Sequence, residues 1–330
     1  MDPLTHTAAG FVVGQAGLRR LTPNWGWVMF FAASAPDVDG LFFIPGDIRV
    51  LDWHRHFTHA FFFAPLLALV VVLSVKYILR RQLNFRGAWL MATCAVLLHE
   101  CIDWMTLHGP RLLLPFSDRH FALRIESFID PILLTLLLLA IAMPMLSRLV
   151  TSEIGGKPAT GTWTARIFLI LCLCWIYTRS TFREQALAEL NSRIYDGVAP
   201  IRSEVVPNVN PLNFSALIDG GSFIKSMDLN LFEYFDPDDG KTHFRPEPSE
   251  DAGRALRIAG TTKSAQIFLA WADWPRWQVN RYEGPIRWVV IIEELEIDHL
   301  RNHPRVLVRL NEKFEIIDEI YERSRILGAL

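Results

Sequence analysis

The stretch LLHECIDWM, residues 97–105, decides how this chain is read. It lies in an apolar run long enough to cross a bilayer, yet it sets His99, Glu100 and Asp103 where such a helix favours leucine. An ionisable group inside a span is costly and normally faces a polar partner, a cavity or a working site. His99 and Asp103 are spaced i, i+4, so they share one helix face and can hold one ion. The same pair would equally serve to hydrogen-bond a neighbouring helix.

Around this stretch the chain is more apolar than an ordinary soluble domain. Hydrophobic residues make up 51% of its 330 residues and charged residues 21%. The excess lies in the first half. Runs near 60–79, 88–107, 129–149 and 167–181 read as spans, the last of them short. Ahead of them, 5–18 and 25–35 read as a helical hairpin turned at Pro23–Asn24, rich in small residues that permit close packing. The sequence therefore predicts a membrane protein: a helical bundle of about four spans plus a hairpin over 1–181, then an extracytoplasmic β-rich (α+β) domain over 182–330. A formal net charge of −2 gives no electrostatic reason to expect a nucleic-acid partner. Cys94, Cys101, Cys172 and Cys174 sit in apolar runs and read as small core residues. No cleavable signal peptide is expected.

Lysine and arginine set the orientation. Arg19, Arg20, Lys76, Arg80, Arg81, Arg86, Arg148, Lys157 and Arg166 fall on one set of connections, assigned to the cytoplasm. A multi-pass protein of the inner (plasma) membrane results. His6, Asp37, Asp39, His59, His99 and Asp103 then come to the opposite face, although none of them was used to choose it.

Each of these residues has an ordinary reading as well. In HRHFTHAFFF, His54, His56 and His59 precede a span, and an interfacial polar cap is the plain alternative to a ligand. His59 is favoured as the ligand and His56 is expected to be exposed. In SAPDVDGLF, Asp37 and Asp39 make either a Pro-Asp turn or carboxylates that reach metal. His6, alone beside a threonine, is weak by itself. Glu126 and Asp130 suit the start of the next helix. DPDDGKTHF has glycine one place early for a calcium loop and reads as an acidic turn.

DPLTH, PDVD, HRHFTH, HECID and IDP occur in that order over residues 2–131. The series resembles a bacterial family of membrane-bound, metal-dependent hydrolases, also described as LexA-binding inner-membrane proteins. That family is distantly similar to the zinc-dependent phospholipase C and single-strand nuclease superfamily. The resemblance implies His6, Asp37 or Asp39, His59, His99 and Asp103 as metal ligands. The second helical pair, HxxxE, that completes a three-metal site there is missing after Asp103. One or two divalent ions, Zn²⁺ first, are therefore expected.

The expected chemistry is hydrolysis of an ester or phosphodiester on a lipid-like substrate at the outer face. Asp37 or Asp39, whichever does not bind directly, would be the base or a bridge between metals, and Arg55 would neutralise a phosphate with Arg119. Two rival readings stand beside it. One is a scaffold or regulator whose polar cluster is structural. The other is a protease of HExxH type with Glu100 as base, weakened because Asp103 replaces the second histidine and Glu100 points about 100° away from His99.

Beyond residue 182, FREQALAELNSRIYD reads as a short polar helix. SALIDGGSFIKSMDLNL, ALRIAGTTKSAQIFLAWADW, WVVIIEELEI and RVLVRLNEKFEIIDEIY have a period near two and read as strands. Trp271, Trp274, Trp277 and Trp288 suit either a sheet core or a bilayer interface.

Overall fold

A computed structural model of the chain describes residues 1–42, 47–153, 160–245, 249–295 and 304–322. Lys157 and the last two residues of WVVIIEELEI lie outside them. The chain divides into two compact units, each treated by itself. The first comprises Met1–Leu41, Arg55–Glu184 and Pro207–Leu212; the second comprises Phe42–His54, Gln185–Val206 and Asn213–Leu330.

The first unit is helical. α1 (Pro3–Ala16) starts on an Asp2 cap, whose side chain accepts from the Thr5 N–H at 3.0 Å, with proline in the first turn. α2 (Trp25–Ser34) packs back on it as the expected hairpin. A Cβ added to Gly10 would lie 2.6 Å from Ala33 Cβ, so the absence of a side chain sets how closely the two helices approach. The run expected as a continuous span from residue 60 begins as a helix only at Ala64. α4 covers Ala64–Leu73 and passes into a π-helical turn, Ser74–Ile78. α5 (Phe85–Trp104), α6 (Pro131–Glu153) and α7 (Thr162–Asn191) follow. These three are long and apolar enough to cross a membrane, or four if the bent pair Arg49–His59 and Ala64–Ile78 counts as one span.

Two clusters fill this unit. In one, small and medium residues of α2, α4 and α5 meet, among them Ala32, Ala68, Met91 and Ala95. In the other, α1, α6 and α7 join through Val12, Leu137, Ala140 and Phe168. Large apolar side chains such as Leu66, Val70, Leu146, Ile170 and Leu173 face outward, as lipid-facing helices require. Cys101 and Cys174 lie on such outward faces, and of the four cysteines only Cys172 is buried, contrary to the core reading.

α7 runs ten residues past the apolar stretch and absorbs most of the segment expected as a separate polar helix. It carries Arg179, which is buried between α6 and the 207–212 segment. Arg179 Nε lies 3.5 Å from Glu126 Oε2 and 3.6 Å from Asp130 Oδ2, and Nη1 donates to Pro211 O at 2.8 Å. Asp130 also caps α6, accepting from the Ile132 and Leu133 N–H groups, and takes the Trp175 indole N–H at 3.0 Å. Burial, and after it the charge of Asp130, push the Glu126 carboxyl up to about 9.

The second unit is α+β. Two antiparallel four-stranded meanders occur, in the order β1-β2-β3-β4 and β5-β6-β7-β8. The first holds β1 (Arg202–Pro207), β2 (Asn213–Asp219), β3 (Phe223–Asn230) and β4 (Lys241–Phe244). The second holds β5 (Pro275–Arg281), β6 (Trp288–Glu294), β7 (Arg305–Leu310) and β8 (Ile316–Glu322). The segment ALRIAGTTKSAQIFLAWADW is not a strand. It forms most of α8 (Glu250–Gly260) and all of α9 (Lys263–Trp271), capped by Ser249 and Thr262, whose side chains accept from the Ala252 and Ala265 N–H groups. Both helices cover the second sheet through Ala255, Ala259, Ala265 and Phe268, and α3 (Arg49–Trp53) joins α9. Trp274 and Trp288 are buried, which settles them in the core rather than at an interface. DPDDGKTHF is an acidic turn leading into β4, with the Asp238 N–H donating to Asp236 Oδ1.

Candidate metal centre

Four donors converge in the first unit. Asp37 comes from a 3₁₀ segment after α2, His59 from a 3₁₀ turn ahead of α4, and His99 and Asp103 from the last turns of α5. One ligand atom from each lies within 4.8 Å of all the others, a grouping that can hold a metal ion. His59 Nε2 is 3.6 Å from Asp37 Oδ1 and 3.4 Å from Asp103 Oδ2; His99 Nε2 is 3.5 Å and 3.6 Å from the same two atoms. Those separations are too long for good hydrogen bonds. They match the edge of a tetrahedron with metal–ligand bonds of about 2.0–2.1 Å, which is about 3.3–3.5 Å.

The tautomer of His99 points the same way. Its Nδ1 sits 2.7 Å from Ala33 O, which can only accept, so Nδ1 carries the proton. Nε2 is therefore the nitrogen that faces the two carboxylates and the one that can serve as a ligand. Nε2 and Asp103 Oδ2 are both buried without a hydrogen-bond partner. Two carboxylate oxygens facing an imidazole nitrogen can share a cation between them. The residues present thus fit a divalent metal, and an N₂O₂ donor set suits Zn²⁺, Mn²⁺ or Fe²⁺.

Surrounding groups hold the donors in place. Thr58 Oγ1 lies 3.0 Å from His59 Nδ1 and donates to Asp39 Oδ2 at 3.2 Å. Asp39 Oδ2 is 3.6 Å from the same ring nitrogen and accepts the Arg55 N–H at 2.9 Å. Asp39 is therefore placed behind His59 rather than among the four donors. Arg55 adopts a left-handed backbone, φ 58°, and its guanidinium reaches Asp103 Oδ2 at 3.3 Å, Thr106 Oγ1 at 3.1 Å and His108 O. Arg119 is exposed over the Phe121 ring, 5.8 Å from its centroid.

His6 is brought to the same place but on the other side of Asp103. Its Nε2 lies 3.1 Å from Asp103 Oδ1, which also accepts from the Met1 amino group at 2.6 Å, and its ring stacks on His99 with centroids 3.7 Å apart. Asp103 thus presents one oxygen to His59 and His99 and the other to His6. Glu100 is buried one residue away and does not join the group. His56 is half-buried rather than exposed, its ring edge-on to Phe57 at 4.2 Å. Burial works to raise the Asp37 carboxyl, but the neighbouring imidazoles of His59 and His99 outweigh it and hold Asp37 well below the ordinary carboxylate range.

The sequence did not disclose Thr58, Arg55's contact with Asp103 or the Ala33 carbonyl as parts of the site. A backbone carbonyl has no sequence signature. Thr58 was legible only as the neighbour of His59.

The fold and site together define a membrane protein whose helical half carries a buried Asp/His group able to hold a metal. Residues 1–182 match the YdjM inner membrane protein family, and the chain belongs to that family. The protein YfhP of Bacillus subtilis (strain 168), described as uncharacterized, is 30% identical over 211 residues, which is 61% of this chain. The chain spans 60% of the length of that relative. No solved structure matches it.

Proposed function

We propose that the helical unit is a membrane-embedded, metal-dependent hydrolase acting on an ester or phosphodiester of an amphiphilic, lipid-like substrate at the outer face of the inner membrane. The observation that carries this reading is the spacing of Asp37, His59, His99 and Asp103 at ligand-to-ligand rather than hydrogen-bonding distances. A divalent cation on these donors supplies polarisation of the substrate oxygen and activation of water. The chain's own residues do the rest. Asp37 is the least buried of the four, its side chain 29% exposed against 1% or less for the others, so substrate approaches on its side. Its Oδ2 has no hydrogen-bond partner and can take a proton from attacking water. Asp39 and Thr58 orient His59, and Arg55 holds Asp103. The resemblance of the motif series to the zinc-dependent phospholipase C superfamily makes a phosphodiester the first substrate class to test. Extracytoplasmic placement of the β-rich unit belongs to the same proposal.

The test replaces His99 or Asp103 by alanine, with elemental analysis of the purified protein and hydrolysis of a panel of fluorogenic phosphodiester and carboxylic-ester lipids. Metal content and hydrolysis are expected to fall together in both variants. Wild-type metal content in either variant would end the proposal.

One observation favours a second reading, a structural polar cluster in a scaffold protein. Arg55 already gives Asp103 a positive partner. In that case extensive dialysis against a chelator leaves thermal stability unchanged, whereas a resident metal makes the chelated protein markedly less stable.

A further inference from the structure

At the end of α5 away from His99 and Asp103, about 27 Å along the helix axis, the chain gathers cations without anions. No aspartate or glutamate occurs between Asp2 and Asp37 or between Asp52 and Glu100. Apart from Arg55 at the metal centre, those stretches carry Arg19, Arg20, Lys76, Arg80, Arg81 and Arg86. Three of these line one cavity. α4 widens into the π-helical turn Ser74–Ile78, Arg80 takes a left-handed backbone at φ 51°, and the Arg81 N–H folds back to donate to Val75 O at 3.2 Å. The result is a shallow, open concavity of about 450 Å³ lined by Lys76, Tyr77, Arg80, Arg81, Gln82 and Leu83. Asn24 Nδ2 holds the far side of this turn by donating to Gln82 O at 3.1 Å.

The contacts of the cations here are with aromatic rings. Arg81 stands over Trp27 at 5.2 Å, and Lys76 stands 5.1 Å from the Tyr77 centroid and 5.8 Å from that of Phe85. Among the described residues none of Lys76, Arg80 and Arg81 is paired with a carboxylate. Tyr77 and Ile78, 65% and 75% exposed, continue the cavity into the outward apolar side that α4 presents through Leu66 and Val70. A charged concavity that opens onto a lipid-facing helix has the two chemistries of an anionic phospholipid in the right order.

We infer that this cavity binds the phosphate-bearing headgroup of an anionic glycerophospholipid, with its acyl chains along Tyr77, Ile78 and the outer side of α4. Charge complementarity chooses the occupant: a zwitterionic lipid would bring a second cation among three unpaired ones. The bent backbone distinguishes this arrangement from cations merely scattered over a connection to set orientation. The inference does not depend on the hydrolase reading, because the cavity and the metal centre lie at opposite ends of α5.

The experiment is native mass spectrometry of the full-length protein released from vesicles containing equal amounts of phosphatidylglycerol and phosphatidylcholine. Wild-type protein is expected to retain phosphatidylglycerol over phosphatidylcholine by about tenfold or more. The preference should fall towards unity in K76Q/R80Q/R81Q and to an intermediate value in R81Q, a surface substitution that leaves the packed core untouched. Equal retention of the two lipids by wild-type protein overturns the inference without any variant. So does an unchanged preference in the triple variant, which would leave the cations an orienting role alone. Displacement of the adduct by excess inorganic phosphate would reassign the cavity to a free anion and equally overturn the lipid assignment.

Discussion

His99 and His59 are held from behind by different means, and the difference is measurable. His99 leans on a backbone carbonyl, Ala33 O, that no substitution of a side chain can remove. His59 leans on the Thr58 hydroxyl and, at longer range, on Asp39. Replacing Thr58 by valine keeps the side-chain volume and removes the hydroxyl. Since loss of such an orienting partner costs about 10–100-fold in metal affinity, T58V should bind metal at least about tenfold more weakly, as read by competition with a chromophoric chelator. Unchanged affinity would show that Asp39 alone orients the ring. Glu126 makes a second prediction at this scale. Its carboxyl is raised in the folded protein to about 9 from an ordinary 4.5. Between those values the unfolded chain is ionised and the folded chain is not, so folding takes up a proton and stability falls as pH rises through that window. Glu126→Gln should flatten the dependence and leave the variant the more stable at the alkaline end, measured as thermal unfolding in detergent from pH 5 to pH 9.

At the scale of the element, the hairpin of α1 and α2 sets where Ala33 stands and hence where His99 points. Gly10 is in direct approach to Ala33, so Gly10→Val must drive the helices apart. The expected outcome is loss of stability by about 1–3 kcal/mol from overpacking, together with weaker metal binding, because the Ala33 carbonyl moves off Nδ1. A variant destabilised to that extent with wild-type metal affinity would uncouple the hairpin from the centre. The helical half was largely legible in the sequence. Apolar runs of span length mark α5, α6 and α7, and the i, i+4 spacing of His99 and Asp103 showed that one helix delivers both. Approach between distant segments was not legible: His6, Asp37 and His59 were separate weak signals until threading through the bilayer put them at one face. Arg179 was missed because a lone arginine in a helix following an apolar run looks like the end of a span, whereas here the helix continues and buries it against Glu126 and Asp130. The α8–α9 segment was misread because its apolar positions satisfy a period of two nearly as well as a helical one. The deciding signals were the caps, Ser249 and Thr262, each followed three residues later by the N–H it satisfies.

On the scale of the whole molecule, the division into two compact units predicts that each has a stability of its own. All four donors lie in the helical unit, while Phe268 is fully buried in the cluster that joins α9 to the second sheet. Phe268→Ala should destabilise the β-rich unit by about 3–5 kcal/mol without changing metal content. A two-stage unfolding profile, with the earlier transition moved and bound metal retained through it, is the outcome to look for. Release of metal in step with that transition would tie the centre to the second unit.

One feature of the centre reaches beyond its ligands. α2 ends beside the site, with its Ala33 carbonyl on His99, and α5 ends there too, with His99 and Asp103 in its final turns. Each helix directs its negative pole, equivalent to about half an elementary charge, at the same small volume. That field welcomes a cation and repels an anion. On the proposed hydrolase reading, that field favours an order of binding in which the cation precedes a negatively charged substrate, with Arg55 the nearest positive side chain to offset it.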